Sequence, residues 1–307
     1  MSRQEILTLL ASAALAFAAS RGRGAGATPP AFFNGQAALD ATRRIVAFGP
    51  RPAGSPAHRK LRQWLAAELR PLPCEVVEDA FTARTPRGPR AMTNLIAKFP
   101  GSSKRVVVIS GHYDTYDRPG LHFVGANDGG SSAAFLLQLA RTLPHFQHRD
   151  AIWLVWFDGE ESMVSWEGED HTYGSRHLAQ KWKADGTADS ILALLNVDMI
   201  GDADLSLVYE LNSTSWLRDL VWSVAGRLGY TSQFSRKYSS AIEDDHVSFL
   251  NIGIPVLDLI DLDYGPDNSY WHTERDTVDK LSPRSFEIIG QVVLETVRAL
   301  EQRTSRW

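Results

Sequence analysis

The chain has 307 residues, enough for two small domains or one large α/β domain at roughly 150 residues per domain. Its 44% hydrophobic residues supply a sizeable core, and ordinary charged, Gly and Pro contents exclude a disordered, collagen-like or low-complexity protein. A formal net charge of -4 gives no basis for nucleic-acid binding, and the single Cys74 excludes an intrachain disulfide framework or an all-cysteine metal site. Any metal must be held by His, Asp and Glu.

In chain order, the first element is Arg3 followed by an apolar run from Ile6 to Ala19 and a breaker-rich stretch to Pro30. This reads as a secretory signal peptide and leader over residues 1–30; the alternative is a short N-terminal helix. The run is too short to span a bilayer comfortably, and no second segment of about twenty apolar residues follows. The expectation is an exported chain, periplasmic or secreted, whose residues 31–307 carry no integral membrane span and form one catalytic α/β domain. Asp40 to Ala47 and His58 to Leu69 have helical spacing, divided by Gly49, Pro50, Pro52 and Gly54. Four short apolar runs, Arg105 to Ser110, Ala151 to Phe157, Leu192 to Val197 and Ile254 to Ile260, read as strands buried on both faces. Helical stretches at Ser131 to Leu143, Ser175 to Lys183, Ser215 to Leu228 and Ser282 to Glu301 alternate with them. The pattern predicts a single-domain, three-layer αβα sandwich around a twisted, mostly parallel, mixed sheet. In such sheets the site lies beyond the carboxyl ends of the strands.

The residues just beyond each strand carry the chemistry. The first run leads into Gly111-His112-Tyr113-Asp114, the second into Asp158-Gly159-Glu160-Glu161, and the third closes with Asp198-Met199-Ile200-Gly201. Val124 to Gly130 opens a helix and contains Asp128; Glu243-Asp244-Asp245-His246 and Tyr270-Trp271-His272-Thr273 come later. Each station has a plain structural reading: Asp128 as a helix N-cap, Glu160 and Glu161 as a solvated turn, His272 as a partly buried, satisfied histidine. Two adjacent carboxylates at the end of a buried strand repel, however, unless something positive is near. A divalent cation supplies it, and side chains that diverge from neighbouring positions let one Glu ligate while the other moves a proton.

These motifs resemble those of the glutaminyl cyclases, the glutaminyl-peptide cyclotransferases of the zinc-aminopeptidase-like superfamily. The resemblance runs from about Asn94 to about Leu281 and rests on G-H-Y-D (111–114), V-G-A-N-D (124–128), F-D-G-E-E (157–161), Trp166, Y-G-S-R-H-L-A (173–179), E-D-D-H (243–246) and W-H-T (271–273). Where the family usually has D-L-I-G this chain has D-M-I-G at 198–201, and Asp258 and Asp261 make one strand exit more acidic than expected. The resemblance implies one zinc ion held by Asp128, Glu161 and His272, with Glu160 as the general acid/base. It makes Asp198 and Asp244 the acids beside Glu160, and Trp166 and Trp271 the walls of the substrate pocket. An Asp/Glu/His set leaves a fourth zinc position open, as a catalytic site requires. The implied reaction converts the N-terminal glutamine of peptides or proteins to pyroglutamate with release of ammonia. The alternative on the same fold is a di-zinc aminopeptidase, for which His112 and Asp198 stand at the second-metal positions; the match around Trp166, 173–179 and 243–246 favours the cyclase. A metal-free binding domain would lack ligands or Glu160, and none is missing.

Overall fold

Two helices start on the same local device. Ser55-Pro56 and Ser282-Pro283 each place a serine at the N-cap, accepting a backbone N–H at 3.1 Å, and a proline at the first helical position, where no intrahelical donor is needed. They open α2 (Pro56–Leu69) and the last helix, α7 (Pro283–Gln302). The computed structural model describes residues 32–303, so the leader expected over residues 1–30 lies outside the described residues.

The remaining elements are α1 (Gly35–Val46), β1 (Glu75–Thr85), β2 (Gly88–Phe99), β3 (Val106–His112), α3 (Gly130–Thr142), β4 (Ala151–Phe157), α4 (Tyr173–Ala184), β5 (Ile191–Asp198), β6 (Leu207–Tyr209), α5 (Ser215–Arg227), β7 (Phe234–Tyr238), α6 (Asp245–Leu250) and β8 (Val256–Ile260). Six strands form a sheet in the order β1-β2-β4-β3-β5-β8. β4, β3, β5 and β8 run parallel, and β2 and β1 are added antiparallel at one side. Every residue of β3 is buried, because helices cover both faces of the sheet there. α1, α3, α5 and α7 form one layer, and α4 and α6 lie in the other. Under the second layer, Ile96, Val108, Val155, Leu194 and Val256 of the sheet pack with Leu178, Trp182 and Phe249 of the helices. This is the αβα sandwich read from the strand and helix alternation.

The structure adds two things to that reading. α1 begins at Gly35, five residues before the apolar pattern starts, because the Asn34 side chain caps it by accepting Ala37 N–H at 2.9 Å. Gly35 is needed there: a Cβ would lie 1.9 Å from the Pro283 carbonyl oxygen, so the first turn of α1 rests directly on the start of α7. The two helices also meet where the Phe33 ring covers Gly290, with 2.1 Å available for a Cβ. The second addition is the β1–β2 hairpin, paired from Glu75↔Lys98 to Thr85↔Gly88. β1 is an edge strand with mostly exposed or half-buried residues, so it lacks the continuous apolar run that marks the inner strands.

Candidate active site

The strand exits converge on one cavity of about 330 Å³. Its walls include Asp128, Glu160, Glu161, Trp166, Asp198, Asp244, Trp271 and His272, the eight residues picked out by the sequence, together with Tyr116, Ile242, Leu262 and Asn268. β4 delivers Glu160 and Glu161, β5 ends on Asp198, and Asp244 caps α6, its carboxylate accepting Asp245 N–H. Asp128 stands just before α3. It does not cap that helix; Gly129 does, without a side-chain bond, and the Asp128 carboxylate turns instead towards His112 and His272. Gly129 is required here, with φ of 71° and only 2.4 Å between an added Cβ and the Asp114 carbonyl oxygen.

Asp128, Glu161 and His272 each offer a ligand atom, and these atoms all lie within 4.8 Å of one another. His272 Nε2 is 3.2 Å from both Asp128 Oδ2 and Glu161 Oε1. Asp128 Oδ2 and Glu161 Oε2 are buried without a hydrogen-bond partner of good geometry. One His nitrogen, two carboxylates and buried unsatisfied oxygens make a donor set that suits zinc, with room for a further ligand from the cavity. His112, Asp128 and Asp198 form a second such group, with His112 Nε2 3.2 Å from Asp128 Oδ1 and from Asp198 Oδ1.

Electrostatics explain what this cluster needs. Burial drives the Glu160 carboxyl well above its ordinary range; His112 pulls it back, while Glu161, Asp244 and Asp245 push it further up. Glu161 rises to about 7, again through burial, against the pull of His272. Asp244 rises to about 6 through burial and the charge of Asp198. Asp128 goes the other way: burial opposes its charge, but hydrogen bonds with His112 and His272 outweigh it and hold the carboxyl far below the usual range. Burial disfavours charge on His272, yet Glu161 and Asp128 outweigh it and lift the imidazole to about 11. The shifts have one cause: several buried carboxylates face one another and favour positive charge at their centre, whether a proton on histidine or a metal ion.

Backbone and ring contacts fix this arrangement, and several come from residues the sequence reading did not single out. The Asp114 carboxylate accepts the N–H groups of Glu160 and Glu161, each at 3.2 Å, so the acid of the G-H-Y-D motif aims the glutamate pair. Asp276 accepts the N–H groups of Asn127 (2.8 Å) and Asp128 (3.1 Å) and the Tyr264 hydroxyl (2.8 Å). Buried Arg51 donates to the carbonyls of Tyr113, Val124 and Gly125, pinning the V-G-A-N-D loop. Tyr116 stacks on His272 with centroids 4.4 Å apart, and Trp271 covers the same imidazole at 4.3 Å. Trp166 stacks on His171 at 4.5 Å; both tryptophans remain well exposed, at 39% and 42%. Asp276 follows W-H-T by three positions, which is the one signal that could have found it.

A mostly parallel sheet with an acid- and histidine-lined cavity beyond its strand ends defines the class of α/β enzymes whose site lies at the carboxyl ends of the strands. The sequence model of Peptidase family M28 matches residues 94–297. The chain is 34% identical over 270 residues to a glutaminyl-peptide cyclotransferase from Drosophila melanogaster, covering 80% of this chain and 75% of that one. It superimposes on the crystal structure of an Acidobacteriales bacterium glutaminyl cyclase with a TM-score of 0.86 at 41% identity, covering 93% of this chain and all (100%) of that one. A Zn-dependent exopeptidase from Parabacteroides distasonis matches with a TM-score of 0.78 at 26% identity, covering 90% and 100% of the two chains. The chain belongs to peptidase family M28 and, within it, to the glutaminyl-peptide cyclotransferases.

Proposed function

We propose that the cavity cyclises the N-terminal glutaminyl residue of peptides and proteins to pyroglutamyl, releasing ammonia, with one zinc ion held by Asp128, Glu161 and His272. The observation that carries this reading is a single cavity in which that ligand trio, a second glutamate and two exposed tryptophans all face the same space. Zinc bound there supplies Lewis-acid polarisation of the γ-amide carbonyl. Glu160, kept from easy ionisation by burial, accepts the proton of the substrate's α-amino nitrogen as the new C–N bond forms, and passes it to the departing amide nitrogen as the old one breaks. Asp198 and Asp244 line the cavity beside it as the flanking acids, and the charge of Asp244 helps keep the Glu160 carboxyl protonated. Trp166 and Trp271 wall the glutamine side chain into a curled conformation, so attack is intramolecular and entropically cheap. His112 is wedged between Asp128 and Asp198; burial opposes its charge, but Asp198 and Glu160 raise its pKa well above the ordinary value, so a proton there competes with a second metal.

The second reading, a di-zinc aminopeptidase, draws on the His112, Asp128, Asp198 donor group. Substrate and metal content separate the two. Wild-type enzyme should convert Gln-initiated peptides to a product lighter by one ammonia by mass spectrometry, leave Leu- and Ala-initiated peptides uncut, and carry one zinc per chain. Free leucine from Leu-peptides, with two zinc ions and no ammonia from Gln-peptides, would establish the aminopeptidase instead. We also propose that residues 1–30 direct export to the periplasm or outside the cell and are removed, leaving residues 31–307 as the catalytic domain. Among the described residues no helix is long and apolar enough to cross a membrane.

A further inference from the structure

A second cleft, of about 420 Å³, opens between α2 and the β1–β2 hairpin, and shares no lining residue with the cavity described above. Its polar lining is His58, Arg59 and Arg62 from α2, Thr82 from β1, Arg90 and Thr93 from β2, and Asp158 from the end of β4. Among the described residues neither Arg59 nor Arg90 forms an ion pair, and the buried Arg90 Nε has no hydrogen-bond acceptor. The stem of Arg90 lies against Gly54, where a Cβ would come within 2.8 Å of Arg90 Cδ, so the guanidinium is held at the cleft by packing. Arg59 bonds back to the Gly54 carbonyl at 2.5 Å, which brings the two cations to one glycine. Arg62 donates to Thr93 Oγ1 and faces the half-exposed Glu78 at 3.4 Å.

The floor is equally unsatisfied. His58 Nε2 and Asp158 Oδ1 face each other at 3.3 Å, both side chains 1% exposed, and neither atom makes a hydrogen bond of good geometry. Asp158 uses its other oxygen to accept Thr93 N–H at 2.6 Å and the Tyr113 hydroxyl at 3.2 Å, and His58 stacks on Tyr113 at 4.4 Å. Burial brings His58 down to about 3 and lifts Asp158 well above the usual carboxylate range, so the floor adds little charge of its own. Three guanidiniums, of which only Arg62 has a nearby acid on the rim, surround a buried His58–Asp158 contact that makes no hydrogen bond of good geometry. Guanidiniums on Arg59 and Arg90 that have no carboxylate partner, beside a half-enclosed volume of this size, match a planar or tetrahedral oxyanion, which can satisfy several N–H groups at once.

We propose that this cleft binds a small oxyanion, a phosphate group or a carboxylate, through Arg59, Arg62 and Arg90. The experiment is isothermal titration of the zinc-loaded full chain with inorganic phosphate and, separately, with succinate, each at constant ionic strength made up with chloride. The expected result is saturable 1:1 binding in at least one arm, and the stronger arm identifies the phosphate or the carboxylate as the recognised group. Affinity should fall about tenfold or more in Arg59→Ala/Arg90→Ala and persist in His272→Ala, which separates the cleft from the zinc site. Arg90→Gln, at a half-buried surface position, should weaken binding in the same direction and serves in place of the double variant if that chain does not give the wild-type circular dichroism spectrum. Equal affinity in the arginine variants and the wild type, or loss of binding in His272→Ala, overturns the proposal. Saturation only above tens of millimolar in both arms means an adventitious ion only, and overturns it as well.

Discussion

His272 holds a backbone φ of 52°, a left-handed conformation that a non-glycine residue adopts at a cost of about 1 kcal/mol or more. Tyr116 and Trp271 on its ring and two carboxylates at its Nε2 offset that strain, which is how a ligand can sit where local preference would not put it. His272→Ala should therefore remove a ligand without unfolding the chain: zinc affinity should drop at least about 100-fold, read by atomic absorption after dialysis, with an unchanged circular dichroism spectrum. Full zinc occupancy together with wild-type activity would remove His272 from the ligand set. Glu160→Gln tests the other half of the glutamate pair. It should keep zinc and lower kcat by about 10³-fold, since only proton transfer is lost; loss of zinc in this variant would make Glu160 a ligand. These residues were legible in the sequence because acids and imidazoles at the ends of apolar strands have few structural reasons to be there. Arg51 and Tyr116 were not, because their work is done through backbone carbonyls and a ring face, neither of which leaves a motif, and Asp276, which accepts backbone N–H groups, left only its spacing from W-H-T.

At the scale of elements, the four parallel strands β4, β3, β5 and β8 announced themselves and the β1–β2 hairpin did not. β3 and β5 are apolar along their length because both faces are covered, whereas β1 alternates charged and apolar residues at an edge open to water. The short β6 and α6 fall below the length at which a period can be read, and β7 is mostly exposed and polar. The acidic exit of β8, noted in the sequence as a departure, has a physical cost in the fold. Asp261 is fully buried, accepts the N–H groups of Ser206 (2.8 Å) and Asp263 (3.0 Å), and its carboxyl is pushed up to about 7 by burial. A carboxyl whose folded pKa is raised binds protons more readily in the folded state than in the unfolded one, near 3.9, so its effect is to lower stability as pH rises from about 4 to about 7. Asp261→Asn should abolish that dependence. The melting temperature of the variant relative to wild type should climb across this window, by an amount corresponding to at most about 4 kcal/mol. A constant difference from pH 4 to 8 would show that Asp261 is ionised throughout.

For the molecule as a whole, the alternation of strands and helices was enough to predict the three layers, since each inner strand must be covered on both faces and each connecting helix has one apolar side. The leader is a separate matter, to be decided by sequencing. Protein recovered from the exported fraction of the producing cell should begin between Ala19 and Pro30; a soluble cytoplasmic protein that keeps Met1 would end the export proposal. The contact of α1 with α7 bears on how such a chain comes to be folded at all. The first helix of the domain packs on α3 and also on the start of α7, at Pro283 and Gly290, so its seat is complete only once the last helix has been made. Native pairing between segments so far apart in the sequence raises the contact order, which slows folding and leaves this layer open until α7 is in place.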